Sequence, residues 1–280
     1  MKSTTYHVEG GDGVELFVRD GGNEDGPPIL FLHGWSQHHL CWSKQFEGPL
    51  AKDHRLVAID LRGHGASDIH DDPEYYVHSK SWADDVAAVI EACEMDRPLV
   101  VGWSMGGRIA LDYIYHYGCA DVAGLALIGS STTLPSDPAL IGKRRPDVVA
   151  EGMYSDDHRV ALAATIAFVK GCFASPLSKM DLATFVGFNM LVPPHVRRAS
   201  RLRDRDYEPD FNTITCPVSL FWGEAERLVF REMIDETMTA IPHATLIPFP
   251  GTGHAPFWER SEQFDTHLAE FAREALGVAA

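Results

Sequence analysis

Long apolar runs are missing from this chain. No stretch of about 18 consecutive apolar residues occurs, so a membrane-spanning helix is not expected. The opening residues Met1-Lys2-Ser3-Thr4-Thr5-Tyr6-His7 carry no apolar segment of the kind that directs export. Cysteine is scarce: Cys41, Cys93, Cys119, Cys172 and Cys216 are odd in number, widely spaced and without a C-x-x-C pair. That pattern argues against a disulfide framework or a zinc cluster and leads us to expect reduced thiols in a soluble, cytoplasmic protein. His38-His39 has no companion at metal-ligand spacing and reads as a solvated loop pair. Basic residues are few as well. Against 40 Asp and Glu stand 24 Lys and Arg, a formal charge of −16, which disfavours nucleic acid and anionic membranes as partners. Internal repeats and low-complexity segments are absent.

What is present is strand alternating with helix over 280 residues, enough to bury a large core without staples. Val8–Glu9 and Val14–Arg19, separated by a Gly-rich tetrapeptide, read as a hairpin. Apolar strands follow at 29–32, 56–59, 99–101 and 122–128, with helical spacing at 40–50, 82–93 and 109–117. The alternation predicts βαβ crossovers and a mostly parallel sheet. From about 134 to 211 it pauses. Only helical stretches occur there, at 160–173 and 180–191, before strands resume at 218–223 and 245–249 and a last helix closes at 261–276. The expected organisation is a core of residues 1–133 and 212–280 with a helical cap, 134–211, inserted between core strands.

The core is organised around Leu99 to Arg108. A β-branched apolar run stops at Gly102, a serine follows at 104, and Gly106-Gly107 opens a helix. A turn tight enough to strain its apex residue needs neighbours without side chains two positions away on either side, which is the physical content of G-x-S-x-G. Ser104 would then project its hydroxyl from the sheet edge, above a helix whose free N–H groups and dipole favour an oxyanion.

Taken with His33-Gly34-Trp35 and Gly253-His254-Ala255-Pro256-Phe257, this elbow resembles the α/β-hydrolases of the serine-esterase branch. It is most similar to small-ester carboxylesterases, pimeloyl-carrier methyl ester esterases and cofactor-free haloperoxidases or perhydrolases. The resemblance covers nearly the whole chain apart from the lobe. It implies an eight-stranded, mostly parallel sheet with helices on both faces, and a chain order of nucleophile, acid, histidine.

By position the nucleophile is Ser104 and the histidine His254, whose glycine-flanked loop lets the imidazole approach the elbow. An imidazole is required because a serine hydroxyl attacks poorly until a base of near-neutral pKa takes its proton. Similar enzymes carry Gly, two variable residues and Asp after the penultimate strand; this chain has Gly223-Glu224-Ala225-Glu226. Glu226 occupies the matching place, with an extra methylene that the loop must absorb. Glu224 and Asp137 are competitors for the role, and Arg227 is the surface partner Glu226 would have if it played none. The backbone N–H groups of Trp35 and Met105 are carried over as the oxyanion hole, and His33 as a structural hydrogen-bonder. The loop Asp60 to Ser67 reads as structural support for a strand end. A serine rather than an aspartate at position 104 excludes the alkyl-ester chemistry of haloalkane dehalogenases and epoxide hydrolases of this fold.

The resulting expectation is hydrolysis of small to medium carboxylic esters through an acyl-enzyme, with no metal or organic cofactor. Two rivals stay open: the same site acting on a lactone, a peracid or a C–C bond, and a hydrolase-fold receptor that only binds. Residues 133–211 hold 11 Lys and Arg against 10 Asp and Glu, leaving 13 against 30 elsewhere, so the negative charge lies on the core. Arg197, Arg201 and Arg205 recur every fourth residue beside Arg198. They offer either a docking face for an acidic carrier protein or, as charge runs more often do, a solvated face paired with Asp204, Asp206 and Glu208. Phe168, Phe173, Phe185, Phe188, Met190 and Leu191 could line a substrate pocket, although more of them are expected to pack the lobe to the core.

Overall fold

Hydrogen bonding joins eight strands into one sheet: β1 (Ser3–Glu9), β2 (Glu15–Gly22), β3 (Pro28–Leu32), β4 (Arg55–Ile59), β5 (Leu99–Trp103), β6 (Gly124–Ile128), β7 (Val218–Gly223) and β8 (Thr245–Phe249). The structure is a computed structural model and describes residues 3–132, 150–203 and 210–277. The strand order is β1-β2-β4-β3-β5-β6-β7-β8. β1 pairs antiparallel with β2, and β2 with β4, while every later pairing is parallel. The hairpin, the parallel sheet and the eight-strand count therefore stand as the sequence implied.

Every residue of β5, β6 and β7 is buried, as are all but the first of β3 and β4. Strands that read as unbroken apolar runs need cover on both faces. One set of helices, Ser79–Ala92 and Met105–Tyr117, packs together; another gathers Ser43–Glu47, Leu50–Asp53 and Pro256–Glu259 around the closing helix Ser261–Leu276. The single helix expected at 40–50 is broken instead, into a 3-10 turn at His39–Trp42 and two short helices, with Gly48 and Pro49 between them.

The chain leaves β3 for β4 on one side and returns to β5 on the other. Such a reversal opens a crevice at the carboxyl ends of the strands, where ligands of open α/β sheets bind. Between β6 and β7 the described residues are helical: Ala150–Tyr154 (3-10), His158–Gly171, Lys179–Leu191 and Pro194–Arg201. Phe168, Phe173, Phe185 and Phe188 are buried, and the Phe185 ring meets Trp258 edge-on at 4.8 Å, whereas Leu191 is exposed. Most of these aromatics thus pack, as expected. Among the described residues no helix is long and apolar enough to cross a membrane.

Two expectations need correction. His38 and His39 are not solvated: both are 7% exposed, and they lie against Asp60 and Phe188. Arg197 is likewise not on a solvated face, being 1% exposed, while Arg198 and Arg201 on the same helix are exposed. The helix Pro194–Arg201 buries Arg197 against the rest of the fold together with Val196, Ala199 and Ser200, which simple charge spacing does not reveal. Arg205, Asp204, Asp206, Glu208 and Asp137 lie outside the described residues.

Candidate active site

Ser104 is the residue between β5 and the helix Met105–Tyr117, with φ 54° and ψ −111°. A non-glycine residue in so sparsely populated a region stores on the order of 1–3 kcal/mol and persists only if its surroundings fix it. Here the Ser104 N–H donates to Ile128 O at 2.8 Å, and the Ser104 carbonyl accepts from Ser130 Oγ at 2.9 Å and Gly107 N–H at 3.1 Å. The flanking glycines are sterically required. A Cβ at Gly102 would sit 2.5 Å from Gly107 Cα, and one at Gly106 would sit 2.3 Å from Leu32 O. Among the described residues the Ser104 hydroxyl forms no hydrogen bond.

His254 follows β8 in a loop fastened from three sides. Its carbonyl accepts from the indole of Trp103, the residue before Ser104, at 2.8 Å, and the two rings lie 5.5 Å apart. Its N–H donates to Cys172 O at 2.8 Å. Glu259 accepts from Gly253 N–H at 2.6 Å and from Ala174 and Ser175 N–H at 3.0 Å each, tying the loop to the end of the helix His158–Gly171. Neither Trp103 nor Glu259 carries a sequence motif for this role; the only signal is adjacency to the elbow or the histidine.

Glu226 meets His254 directly. Its Oε2 lies 2.6 Å from His254 Nδ1, and its Oε1 accepts from Arg227 and Leu228 N–H at 2.7 Å each. Both side chains are buried, at 0% and 3% exposure, so the pair is shielded from solvent. Glu224 is exposed. The longer side chain is accommodated at Gly129, with φ 48°, where a Cβ would stand 2.7 Å from His254 Nδ1 and 3.2 Å from Glu226 Oε2. No sequence motif marks Gly129 for this role.

The loop after β3 packs on the elbow, since a Cβ at Gly34 would lie 3.4 Å from Ser104 Cβ. His33 accepts from Leu61 N–H on Nε2 at 3.0 Å, so its Nδ1 carries the proton and donates to Gly34 O at 2.8 Å. Burial, together with the neighbouring His64, holds His33 well below the usual imidazole range, which preserves the neutral tautomer this arrangement needs. Gly34 O also accepts from Gln37 N–H at 3.1 Å. With that carbonyl fixed, the N–H of Trp35 in the same trans peptide points the opposite way, and it has no partner among the described residues. Met105 is the first residue of its helix, so its N–H also lacks an intrahelical acceptor.

The Asp60 loop is structural throughout. Asp60 accepts from His39 N–H at 2.7 Å, His39 Nδ1 at 3.0 Å and Ala66 N–H at 3.0 Å. Burial would raise its pKa, but the hydrogen bond from His39 and the adjacent histidines hold it at about 2. Arg62 grips Asp85 through Nε and Nη2 at 2.7 Å each. Donor atoms of His38, His39 and Asp60 lie within 4.8 Å of one another, which is metal-ligand spacing. Backbone N–H groups already bond to Asp60 and to the Nδ1 of His38, the latter through Leu40 N–H at 3.1 Å.

Comparison with known proteins agrees with the fold. The alpha/beta hydrolase family matches residues 29–266. The AB hydrolase superfamily protein YisY of Bacillus subtilis is 29% identical over 273 residues, covering 95% of this chain and 98% of that one. The bifunctional esterase/perhydrolase DCH of Acinetobacter calcoaceticus is 28% identical, covering 94% and 97%. Among solved structures, the esterase RhEst1 from Rhodococcus sp. ECU1013 superposes with a TM-score of 0.85 at 31% identity, covering 96% and 98%. The chain belongs to the alpha/beta hydrolase family.

Proposed function

We propose that the protein is a serine hydrolase of small to medium carboxylic esters, in which Ser104 is the nucleophile, His254 the general base and Glu226 the carboxylate that orients the imidazole. The observation that carries this reading is the buried contact between Glu226 Oε2 and His254 Nδ1, 2.6 Å long, on a loop held by the residue that precedes Ser104. A carboxylate there keeps the proton on Nδ1 and leaves the Nε2 lone pair to take the proton of Ser104. The freed oxygen attacks the ester carbonyl, and the N–H groups of Trp35 and Met105 bind the oxyanion. His254 then protonates the departing alcohol, and water resolves the acyl-enzyme by the same steps in reverse order. Loss of one oxyanion donor elsewhere costs about 2.7–4 kcal/mol, so two account for a large share of the rate.

The helices between β6 and β7 act as a cap over the strand ends, with residues 134–211 as its extent. Five free thiols support a cytoplasmic setting. The substrate is a small-molecule ester; an acidic carrier protein gains little support, because burial of Arg197 removes the first arginine of the basic stripe that would receive it. A second outcome of the same site, attack of hydrogen peroxide on the acyl-enzyme to give a peracid, is favoured by the likeness to an esterase/perhydrolase.

A panel of p-nitrophenyl esters and lactones, with and without peroxide, tests the bond cleaved. An organophosphonate should add its mass to Ser104, and Ser104→Ala should lose both labelling and turnover. A wild-type protein that resists the label, or a Ser104→Ala variant that keeps its esterase activity, would overturn the assignment.

A further inference from the structure

Among the described residues, Arg197 is a buried cation without a counterion. Its pKa is lowered to about 10 by burial, which leaves it charged at neutral pH. Among the described residues no carboxylate pairs with it, and its three acceptors are all neutral: Ser36 Oγ from Nε at 3.1 Å, Met153 O from Nη1 at 2.8 Å, and Asn189 O from Nη2. An unpaired buried charge is expensive, and packing alone would be better served by an apolar side chain.

The neighbours of Arg197 indicate what it does. Residues 34–37 form a turn closed by Gln37 N–H on Gly34 O at 3.1 Å. Its third residue, Ser36, has φ 60°, a position where such turns favour glycine or asparagine. A serine stays there only if it is held. His64 Nε2 accepts the Ser36 N–H at 3.2 Å, Arg197 donates to the Ser36 hydroxyl, and the carbonyl of Arg197 accepts from the indole of Trp35 at 3.0 Å. Both ends of one residue on the helix Pro194–Arg201 therefore grip the two central residues of the turn.

We propose that Arg197 is a positioning residue, which keeps the turn Gly34–Gln37 in the shape that presents the Trp35 N–H to the substrate carbonyl oxygen and so couples the helix Pro194–Arg201 to the chemical step. This rests on the assignment of Trp35 as an oxyanion donor. Arg197 touches no reacting atom. Its effect should therefore appear where the carbonyl oxygen gains charge, and not where the uncharged ester first binds.

The test uses Arg197→Met, Arg197→Lys and Ser36→Ala, assayed with p-nitrophenyl acetate and with two inhibitors. An aryl trifluoromethyl ketone reports the oxyanion: Ser104 Oγ bonds to its carbonyl carbon, the serine proton passes to His254, and the C=O electron pair moves to oxygen. 4-Nitroacetanilide, the uncharged amide counterpart of the substrate, reports ground-state binding as a competitive inhibitor. Displacing a donor by about 1 Å costs about a hundredfold, so Arg197→Met should lower kcat by about 10- to 100-fold. KM and 4-nitroacetanilide affinity should stay within about threefold, while the trifluoromethyl ketone weakens in step with kcat/KM. Arg197→Lys should not rescue, because one ammonium cannot span three acceptors arranged for a planar fork. Ser36→Ala should lose part of the same activity, and the double variant Arg197→Met/Ser36→Ala should fall no further than Arg197→Met alone. If Arg197→Met does not fold, Ser36→Ala decides with the same paired readout. Retention of kcat in Ser36→Ala and Arg197→Met, or a fall in kcat with ketone affinity unchanged, overturns the proposal. An inactive Ser104→Ala keeps the esterase reading intact in either case, so the two failures are distinguishable.

Discussion

The exchange Glu226→Gln removes one charge and changes almost no volume, and the geometry around it makes the consequence calculable. Oε1 faces two donors, the N–H groups of Arg227 and Leu228 at 2.7 Å each. An amide must place its oxygen there, since its NH₂ cannot accept. The NH₂ is then forced toward His254 Nδ1, where the carboxylate oxygen stood at 2.6 Å. Two donors cannot face each other, so the imidazole responds by moving its proton to Nε2, the nitrogen that has to receive the serine proton. The enzyme keeps its fold and loses its base. The equivalent carboxylate-to-amide change in a serine protease lowers kcat by about 10⁴ through the same wrong tautomer, and at 1.36 kcal/mol per factor of ten that is about 5 kcal/mol of barrier. Steady-state kinetics on p-nitrophenyl esters measures the loss, thermal unfolding checks that the fold is intact, and the ¹⁵N shifts of His254 report the tautomer. Turnover within tenfold of wild type, with Nδ1 still protonated, would refute the reasoning and move the role to another carboxylate.

Three further outcomes follow from neighbouring contacts. Gly129→Ala introduces a Cβ 2.7 Å from His254 Nδ1 at φ 48°, so kcat should fall by about a hundredfold from a displacement near 1 Å, with a left-handed backbone penalty of only about 1–2 kcal/mol in urea unfolding. Activity within threefold of wild type would contradict this. Trp103→Phe keeps an aromatic ring, though a smaller one, and deletes the donor that meets His254 O at 2.8 Å; an unpaired buried carbonyl costs about 1–3 kcal/mol, and kcat/KM should drop, whereas unchanged kcat/KM would show that this bond does not hold the histidine loop. Asp265→Asn should stabilise. Burial, against a hydrogen bond from Gln45 Nε2 at 3.0 Å, lifts this carboxyl to about 7. Its proton is thus held more tightly in the folded state than in the unfolded state, and native stability declines as pH rises from about 4 to about 7. A gap of roughly three pKa units is worth at most about 4 kcal/mol. The amide should recover about 2–4 kcal/mol at pH 8 and almost none at pH 4 by urea unfolding. A gain equal at both pH values would show that the charge is not its source.

The parts of this molecule that were legible in the sequence are those written as local patterns. Apolar runs at 29–32, 56–59, 99–101 and 218–223 are strands because both faces of a parallel sheet are covered, and unbroken β-branched runs have no other economical placement. The closing helix spans Ser261–Leu276 as its apolar period indicates. Gly102 and Gly106 were readable because steric need at a tight turn is a property of neighbours in sequence. The helix sought at 40–50 failed for the same reason in reverse: apolar spacing there serves a 3-10 turn and two short helices that follow the sheet, and Gly48-Pro49 overrode the period.

Contacts made across the fold left no such trace. His38-His39 looked solvated because two adjacent histidines say nothing about the carboxylate of Asp60, some twenty residues on, which holds His39 through its N–H and Nδ1, or about the ring of Phe188 on which His38 stacks. Arg197 looked like one member of a charged stripe because a four-residue period is blind to which member faces the rest of the protein. Gly129 is the sharpest case. It stands at the end of β6 with nothing in its neighbourhood to mark it, yet it sets the space in which a glutamate, one methylene longer than the aspartate usual in similar enzymes, can still reach Nδ1 of His254. The length of the acid and the absence of a side chain at 129 form one structural unit, although 97 positions separate them. If so, Glu226→Asp should not behave as a conservative exchange. Its carboxylate would withdraw from the imidazole by about one C–C bond length, and a displacement of that order costs about a hundredfold in rate. In Gly129→Ala/Glu226→Asp the shorter acid vacates the space the new methyl enters, so the double variant should be less impaired than the product of the two single losses; strictly multiplicative losses would show that the two positions are independent.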